Sequence, residues 1–238
     1  MFTKAGFEAA FAYWPMFLEG VLGTVLLSAF AVFFGFIIAL LLALCRMGRI
    51  APLRWLATAY VEVFRATPML VQVLLIYNVF LLAFPDMPSF RIFGLFIFRR
   101  FVPGVVALSL NSGAYLSEVI RSGISSIPIG QTEAARSLGL PAGKTMRLVV
   151  LPQAIKNILP AMANEFVTII KESSITYLIG VQDIMSVVKA VQGATYRQME
   201  ALVYAAVLYF CLTFPTSKVI AHFERKMSRG YKLSLIHI

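Results

Sequence analysis

Charge is scarce in this sequence: only 13% of its 238 residues are Asp, Glu, Lys or Arg, about half the share in an ordinary soluble domain. Hydrophobic residues make up 60%. That balance excludes a water-facing surface over most of the chain and points to a membrane. Acidic residues are scarcest, 11 against 21 basic, for a net charge of +10. In a soluble chain this excess would suggest nucleic acid. Here the basic residues flank apolar runs, as they do beside membrane spans, so no nucleic-acid partner is expected. Cysteine and histidine are also rare. Cys45 and Cys211 lie in apolar stretches, and His222 and His237 lie near the end of the chain. No disulfide framework, metal set or catalytic triad can be assembled from them. The sequence therefore predicts no enzyme, no cofactor and no metal.

What is abundant is long apolar sequence. A helical span needs about 20 mostly apolar residues. The clearest runs from Gly20 to Cys45 without a charge. The others are Ala66 to Pro85, Phe101 to Ser117 (continuing through Glu118), Asn157 to Ile179 and Ala201 to Ile220. The expected fold is all-α and integral to the membrane, with about five transmembrane helices and the termini on opposite sides. One set of loops holds Arg46, Arg49, Arg54, Arg121, Arg136, Lys144, Arg147, Lys156, Lys218, Arg225, Lys226, Arg229 and Lys232. The other set holds about half as many: Lys4, Arg91, Arg99, Arg100, Lys189 and Arg197. The richer side should be cytoplasmic, which puts the N-terminus outside and the C-terminus inside. Arg99–Arg100 stands against this rule as a local exception.

Residues 1–19 do not read as a cleavable signal, because Lys4, Glu8, Pro15 and Glu19 interrupt them. They read as an interfacial segment with Phe2, Phe7, Phe11, Tyr13, Trp14 and Phe17 at the headgroup level. A transmembrane domain of 20–222 and a cytoplasmic tail of 223–238 complete the division. The last six residues, LSLIHI, back-translate to a common sequencing-library adapter, and read-through is the expected origin.

The polar interruption in the middle, EAARSLGLPAGKTMRLVVLP (Glu133 to Pro152), carries a helix–break–helix grammar. Thr132 reads as an N-cap, with Glu133 near the positive helix end. Gly139 reads as a C′ residue at positive φ. Pro141 suits the first turn of a second helix, and Pro152 marks a further bend. Small Ala134 and Ala135 admit a close neighbour. Gly139 to Thr145 superficially resembles a phosphate loop. Its glycines are one residue too close, and no strand precedes it.

The spacing EAA, three residues, Gly139, nine residues, VVLP resembles the EAA loop of ABC importer permeases, with Val149 in place of the usual Ile. VEVFRATPMLVQVLLIY (Val61–Tyr77), NSGAYLSEVIRSGISSIPIGQTEAARSLG (Asn111–Gly139), KESSITYLIGVQDI (Lys171–Ile184) and TYRQMEALVYAAVLYF (Thr195–Phe210) are similar to its polar amino acid branch. The resemblance implies a translocation subunit that hydrolyses no ATP itself. Its implied partners are two ATPase subunits, an extracytoplasmic amino acid-binding protein, a second permease subunit (identical or homologous) and membrane lipid. It implies coupling to the ATPase through Glu133, Ala134, Ala135, Gly139, Leu151 and Pro152. The substrate it implies is a polar amino acid, glutamine-like in the first instance.

Ionisable groups inside spans cost about 2.5–3.5 kcal/mol each on insertion scales. Glu62, Glu165, Lys171 and Glu172 are such groups. Glu62 and Glu172 are candidates to face a substrate amino group, and Gln72 and Asn111 to hydrogen-bond it. The alternative is that they knit helices or hold a dimer interface. Arg65 is expected to snorkel, with Pro68 kinking or starting a helix. Tyr115, Gly113, Gly123 and Gly180 are expected to pack or hinge. A stand-alone secondary transporter or channel is the competing function, but it leaves the elbow unexplained.

Overall fold

The computed structural model describes residues 3–232, with side chains through 226. The LSLIHI segment and Phe2 lie outside the described residues.

The order is α1 (Lys4–Phe11), α2 (Trp14–Met47), α3 (Ala51–Ala66), α4 (Met69–Ala83), a hairpin of β1 (Arg91–Ile92) and β2 (Phe96–Ile97), then α5 (Phe98–Ser125). After it come α6 (Ile129–Ser137), α7 (Ala142–Thr145), a π turn (Met146–Val150), α8 (Leu151–Glu172), a 3-10 segment (Ser173–Ile179), α9 (Ile184–Thr195) and α10 (Gln198–Lys232). A helix lies at each of the five expected positions. Among the described residues two helices, α2 and α10, are long and apolar enough to cross a membrane, or up to four spans if each bent pair is one. The bent pairs are α3 with α4, at 114°, and the α7–α8 rod with α9, at 45°. The 28-residue α5 carries Arg99, Arg100, Glu118 and Arg121 at its two ends, so its apolar stretch is shorter than the helix.

The core is a parallel pair, α2 against α5: Phe30 meets Phe101, Gly35 meets Ser112 and Arg46 meets Glu118. Hydrophobic residues surround α2 on all sides, so its apolar pattern does not say which face is inside. The buried face is the small one: Gly20, Thr24, Ser28, Ala31, Gly35, Ala39 and Ala43. In lipid, apolar faces gain nothing by leaving the bilayer, and small residues let backbones approach closely. The facing surface of α5 buries Gly104, Ala107, Leu108, Asn111, Ser112 and Ser117. Thus the polar and small residues turn inward, while Phe33, Leu40, Leu41 and Leu44 are exposed, as a bilayer requires.

The break between α3 and α4 follows from Pro68, which caps α4 with φ −64° and ψ 138° and is incompatible with a continuing helix before it. The freed carbonyls need donors. Gln72 Nε2 donates to Phe64 O at 2.8 Å, Thr67 O at 3.0 Å and Thr67 Oγ1 at 2.8 Å. Arg65 lies 5.6 Å from the Tyr115 ring centroid in a cation–π contact.

At the hairpin end, α1, α9, α10 and the start of α2 share a second cluster of Ala10, Phe17, Ile184, Val187, Val188, Val191, Ala201 and Ala205. Phe17 is fully buried there. This corrects its expected place among the headgroup aromatics: α1 folds back on α10, and Tyr204 Oη donates to Phe7 O at 3.1 Å. α9 is started by a capping box. Asp183 Oδ1 accepts from Ser186 N at 2.7 Å, and Asp183 N donates to Ser186 Oγ at 2.9 Å.

Candidate functional site: the elbow and the polar interior

The elbow follows α5 directly. Pro128, with φ −55° and ψ 135°, sets the start of α6 at Ile129. Thr132 therefore lies inside the helix and does not cap it, and Glu133 lies beyond the first turn; proline outcompetes the side-chain cap in choosing the boundary. The end of α6 is as the sequence predicts. Gly139 has φ +84°. Leu140 N–H donates to Ala135 O at 3.1 Å, and Gly139 N–H donates to Arg136 O at 3.0 Å. These are the two bonds of a Schellman motif.

Pro141 then caps α7. The expected bend at Pro152 is absent, because the rod from Ala142 onward is continuous. A proline inside an α-helix removes one bond and clashes with the carbonyl four residues back. The π turn just before it makes room: Leu151 N–H bonds Met146 O, five residues back. The Gln153 side chain adds a 2.8 Å bond to Val149 O.

The elbow is tied to its base. Gln153 Nε2 reaches Gln131 Oε1 at 3.4 Å, and Asn157 Nδ2 donates to Ser126 Oγ at 2.9 Å. Ala135 is 5% exposed, and α6, which carries it, packs against the π turn. Glu133, Ala134, Gly139 and Pro152 are exposed, and Leu151 is half-buried. Apolar side chains stand beside them in the open, with Leu138 84%, Ile129 71% and Leu148 60% exposed. A polar elbow that ends in exposed leucines has the composition of a docking surface.

Sequence reasoning did not find the clamp beneath the elbow. Arg46 at the end of α2 bonds Glu118 of α5 at 2.6 Å, and Arg121 bonds the same carboxylate. Only the tertiary structure brings Arg46 to Glu118, 72 residues away. The spacing of Glu118 and Arg121 on one helix was the available signal.

In the interior, the structure brings Gln72 and Asn111 together. Asn111 Nδ2 donates to Gln72 Oε1 at 2.8 Å, and both side chains are buried. Glu165 and Glu172 form a second pair, seven residues apart and so on one face of α8, with Ser112 beside Glu165. Glu172 is half-buried, whereas Glu62 is exposed on α3 and joins neither pair. Gly113 packs on Ile38 and Gly123 on Ile158.

Comparison with known proteins fits this architecture. Residues 10–229 match the family of binding-protein-dependent transport system inner membrane components. The arginine transport system permease protein ArtQ of Bacillus subtilis is 39% identical over 93% of this chain and 96% of its own length. The putative glutamine transport system permease protein GlnP of Rickettsia conorii is 39% identical over 93% of this chain and 98% of its own length. A crystal structure of an amino acid ABC transporter with histidines superposes with a TM-score of 0.85 at 42% identity, covering 95% of this chain and all of that one. With its helical elbow, its inward-facing polar stripe and a match over nearly its whole length, the chain belongs to the binding-protein-dependent transport system inner membrane component family.

Proposed function

We propose that this chain is the permease subunit of an ATP-driven importer of polar amino acids, working through the domain at 20–222. The observation that carries the reading is the elbow: an ordered, positive-φ turn that presents Glu133, Ala134 and exposed Leu138 outside the span bundle. A separate ATPase subunit receives this surface and hydrolyses ATP. Its closure moves the α7–α8 rod, and the rod tilts the helices that pack on α8. Ala135 acts from its buried position, by letting α6 sit on the π turn. Gly139 sets the turn, and Leu151 and Pro152 form the joint to α8. A second permease subunit completes the pathway, and an extracytoplasmic binding protein delivers the substrate. The glutamine and arginine named for the relatives share an α-amino acid group, and glutamine is the first substrate to test. Reconstitution with the ATPase and binding protein should give ATP-dependent uptake of a labelled amino acid. Uptake driven by an ion gradient without ATP would instead mark a secondary transporter.

Orientation follows from the basic loops. Reporter fusions after Arg49 and after Met227 should report cytoplasm, and one near Asp86 the outside. A cytoplasmic signal near Asp86 would overturn this topology.

Within the bundle, Glu172 is the acidic group we assign to the substrate amine, and Glu62 acts at the rim. Gln72 and Asn111 shape the pathway wall through their mutual hydrogen bond. Glu172→Gln keeps the shape and removes the charge. A charge-assisted hydrogen bond contributes about 1.5–3 kcal/mol, so substrate affinity at the membrane site should fall roughly ten- to a hundred-fold with assembly intact. Poor assembly with an unchanged substrate profile would make Glu172 a structural residue instead.

A further inference from the structure

Arg99 and Arg100 open α5 at the hairpin end, the end that should be poor in basic residues. Among the described residues neither has a carboxylate within ion-pair distance. Two guanidinium groups without a counter-charge, at the end that disfavours them, are a costly arrangement for packing alone. They line a pocket of about 480 Å³ with Tyr77, Leu81, Ser89 and Ile97, so its polar groups are two guanidiniums and two hydroxyls. That volume exceeds the size of a single amino acid.

The direction of the pocket follows from helix geometry. Arg100, Gly104, Ala107 and Asn111 fall within an arc of about 60° around α5. Gly104, Ala107 and Asn111 are buried, so Arg100 stands above the inward stripe that descends to the Asn111–Gln72 pair. The Arg100 side chain lies against Gly180, the residue that ends the segment begun by Glu172 and Ser173. Another face of α5 is apolar: Phe98, Phe101, Val102, Val105 and Val106 line a largely apolar groove with Phe30 and Phe34. The arginine pocket is thus set over the protein interior.

We propose that this pocket is a receiving site for the α-carboxylate of the incoming amino acid, held by Arg99 and Arg100 before the amino acid descends toward Asn111 and Glu172. A guanidinium presents paired N–H donors that match a carboxylate, and such charge-assisted pairs are about twice as strong as neutral ones. This inference rests on the amino acid import reading.

The test uses the permease–ATPase complex in phosphatidylcholine nanodiscs without binding protein. It compares binding of each protein amino acid with that of its α-amide, which lacks the carboxylate charge. The wild-type complex should prefer the acid over the amide by roughly ten- to a hundred-fold. Arg100→Gln and the Arg99→Gln/Arg100→Gln double variant should lose that preference, and Arg100→Lys should regain part of it. The binding-protein concentration that half-stimulates ATP hydrolysis is read on the same complexes. A preference that survives in the double variant overturns the proposal. So does displacement of the amino acid by added phosphatidylglycerol, which would assign the pocket to a lipid phosphate. A rise in the binding-protein concentration needed for half-stimulation also overturns it, because the arginines would then be a docking surface. If the wild-type complex, reconstituted in proteoliposomes with its binding protein, imports no amino acid at all, the import reading fails and this one with it. Import by the wild type with acid preference intact in the variants sinks the receiving site alone.

Discussion

Gly139→Val should abolish most transport while leaving the protein assembled in the membrane. At φ +84° Gly139 is in the left-handed region, which costs an L-residue roughly 1–2 kcal/mol and a β-branched residue more. A Cβ there would meet nothing within 4 Å, so the damage is confined to the backbone turn. The cheapest relief is to give up the left-handed turn, losing the two bonds to Ala135 and Arg136 and turning Leu138 away from its partner. If the elbow transmits ATPase closure, ATP-driven uptake should fall by more than about tenfold, since 1.4 kcal/mol is a factor of ten. Gly139→Asn, which tolerates positive φ, should retain uptake. Wild-type uptake in the valine variant would remove the elbow from the coupling path.

Gly23→Val should fail at an earlier stage, in folding and assembly. A Cβ at Gly23 would strike the carbonyl oxygen of Gln182 and come within 3.2 Å of its carbonyl carbon. Backbone sits on both sides of this contact, so no side-chain rotation relieves it. The neighbouring bond from Ile184 N–H to Thr24 Oγ1, 3.3 Å, would be pried open with it. Overpacking costs about 1–3 kcal/mol, and a chain of this size loses about 2–4 °C of melting temperature per kcal/mol. The purified variant should therefore melt some 2–12 °C lower and give less monodisperse protein. Gly130→Ala, where a Cβ meets nothing within 4 Å, is the control that should melt as wild type. An unchanged melting temperature for Gly23→Val would mean that α2 and the turn before α9 do not pack as described.

The sequence by itself determined the membrane class, the places of the helices and the Gly139 turn. Each depends on a property that a short stretch carries alone. A run such as Gly20 to Cys45 has nowhere to go but an apolar environment. A glycine at the end of a helical segment favours positive φ whatever surrounds it. Spacing in the elbow was enough to bring the family into view. The tertiary structure decided the rest, because those outcomes depend on partners distant in sequence. Nothing local says that the small-residue face of α2 is the buried one, since packing and not water-driven burial chooses faces in lipid. Phe17 reads as an interfacial aromatic until α9 and α10 close over it. Pro152 reads as a bend until a π turn absorbs it, and Thr132 reads as a cap until Pro128 starts the helix earlier. Gln72 and Asn111 looked alike as polar residues in apolar surroundings. Only the 114° break at Pro68 shows why Gln72 is needed there: open carbonyls inside a membrane require a donor, and its amide group supplies one while its oxygen holds Asn111 across the bundle.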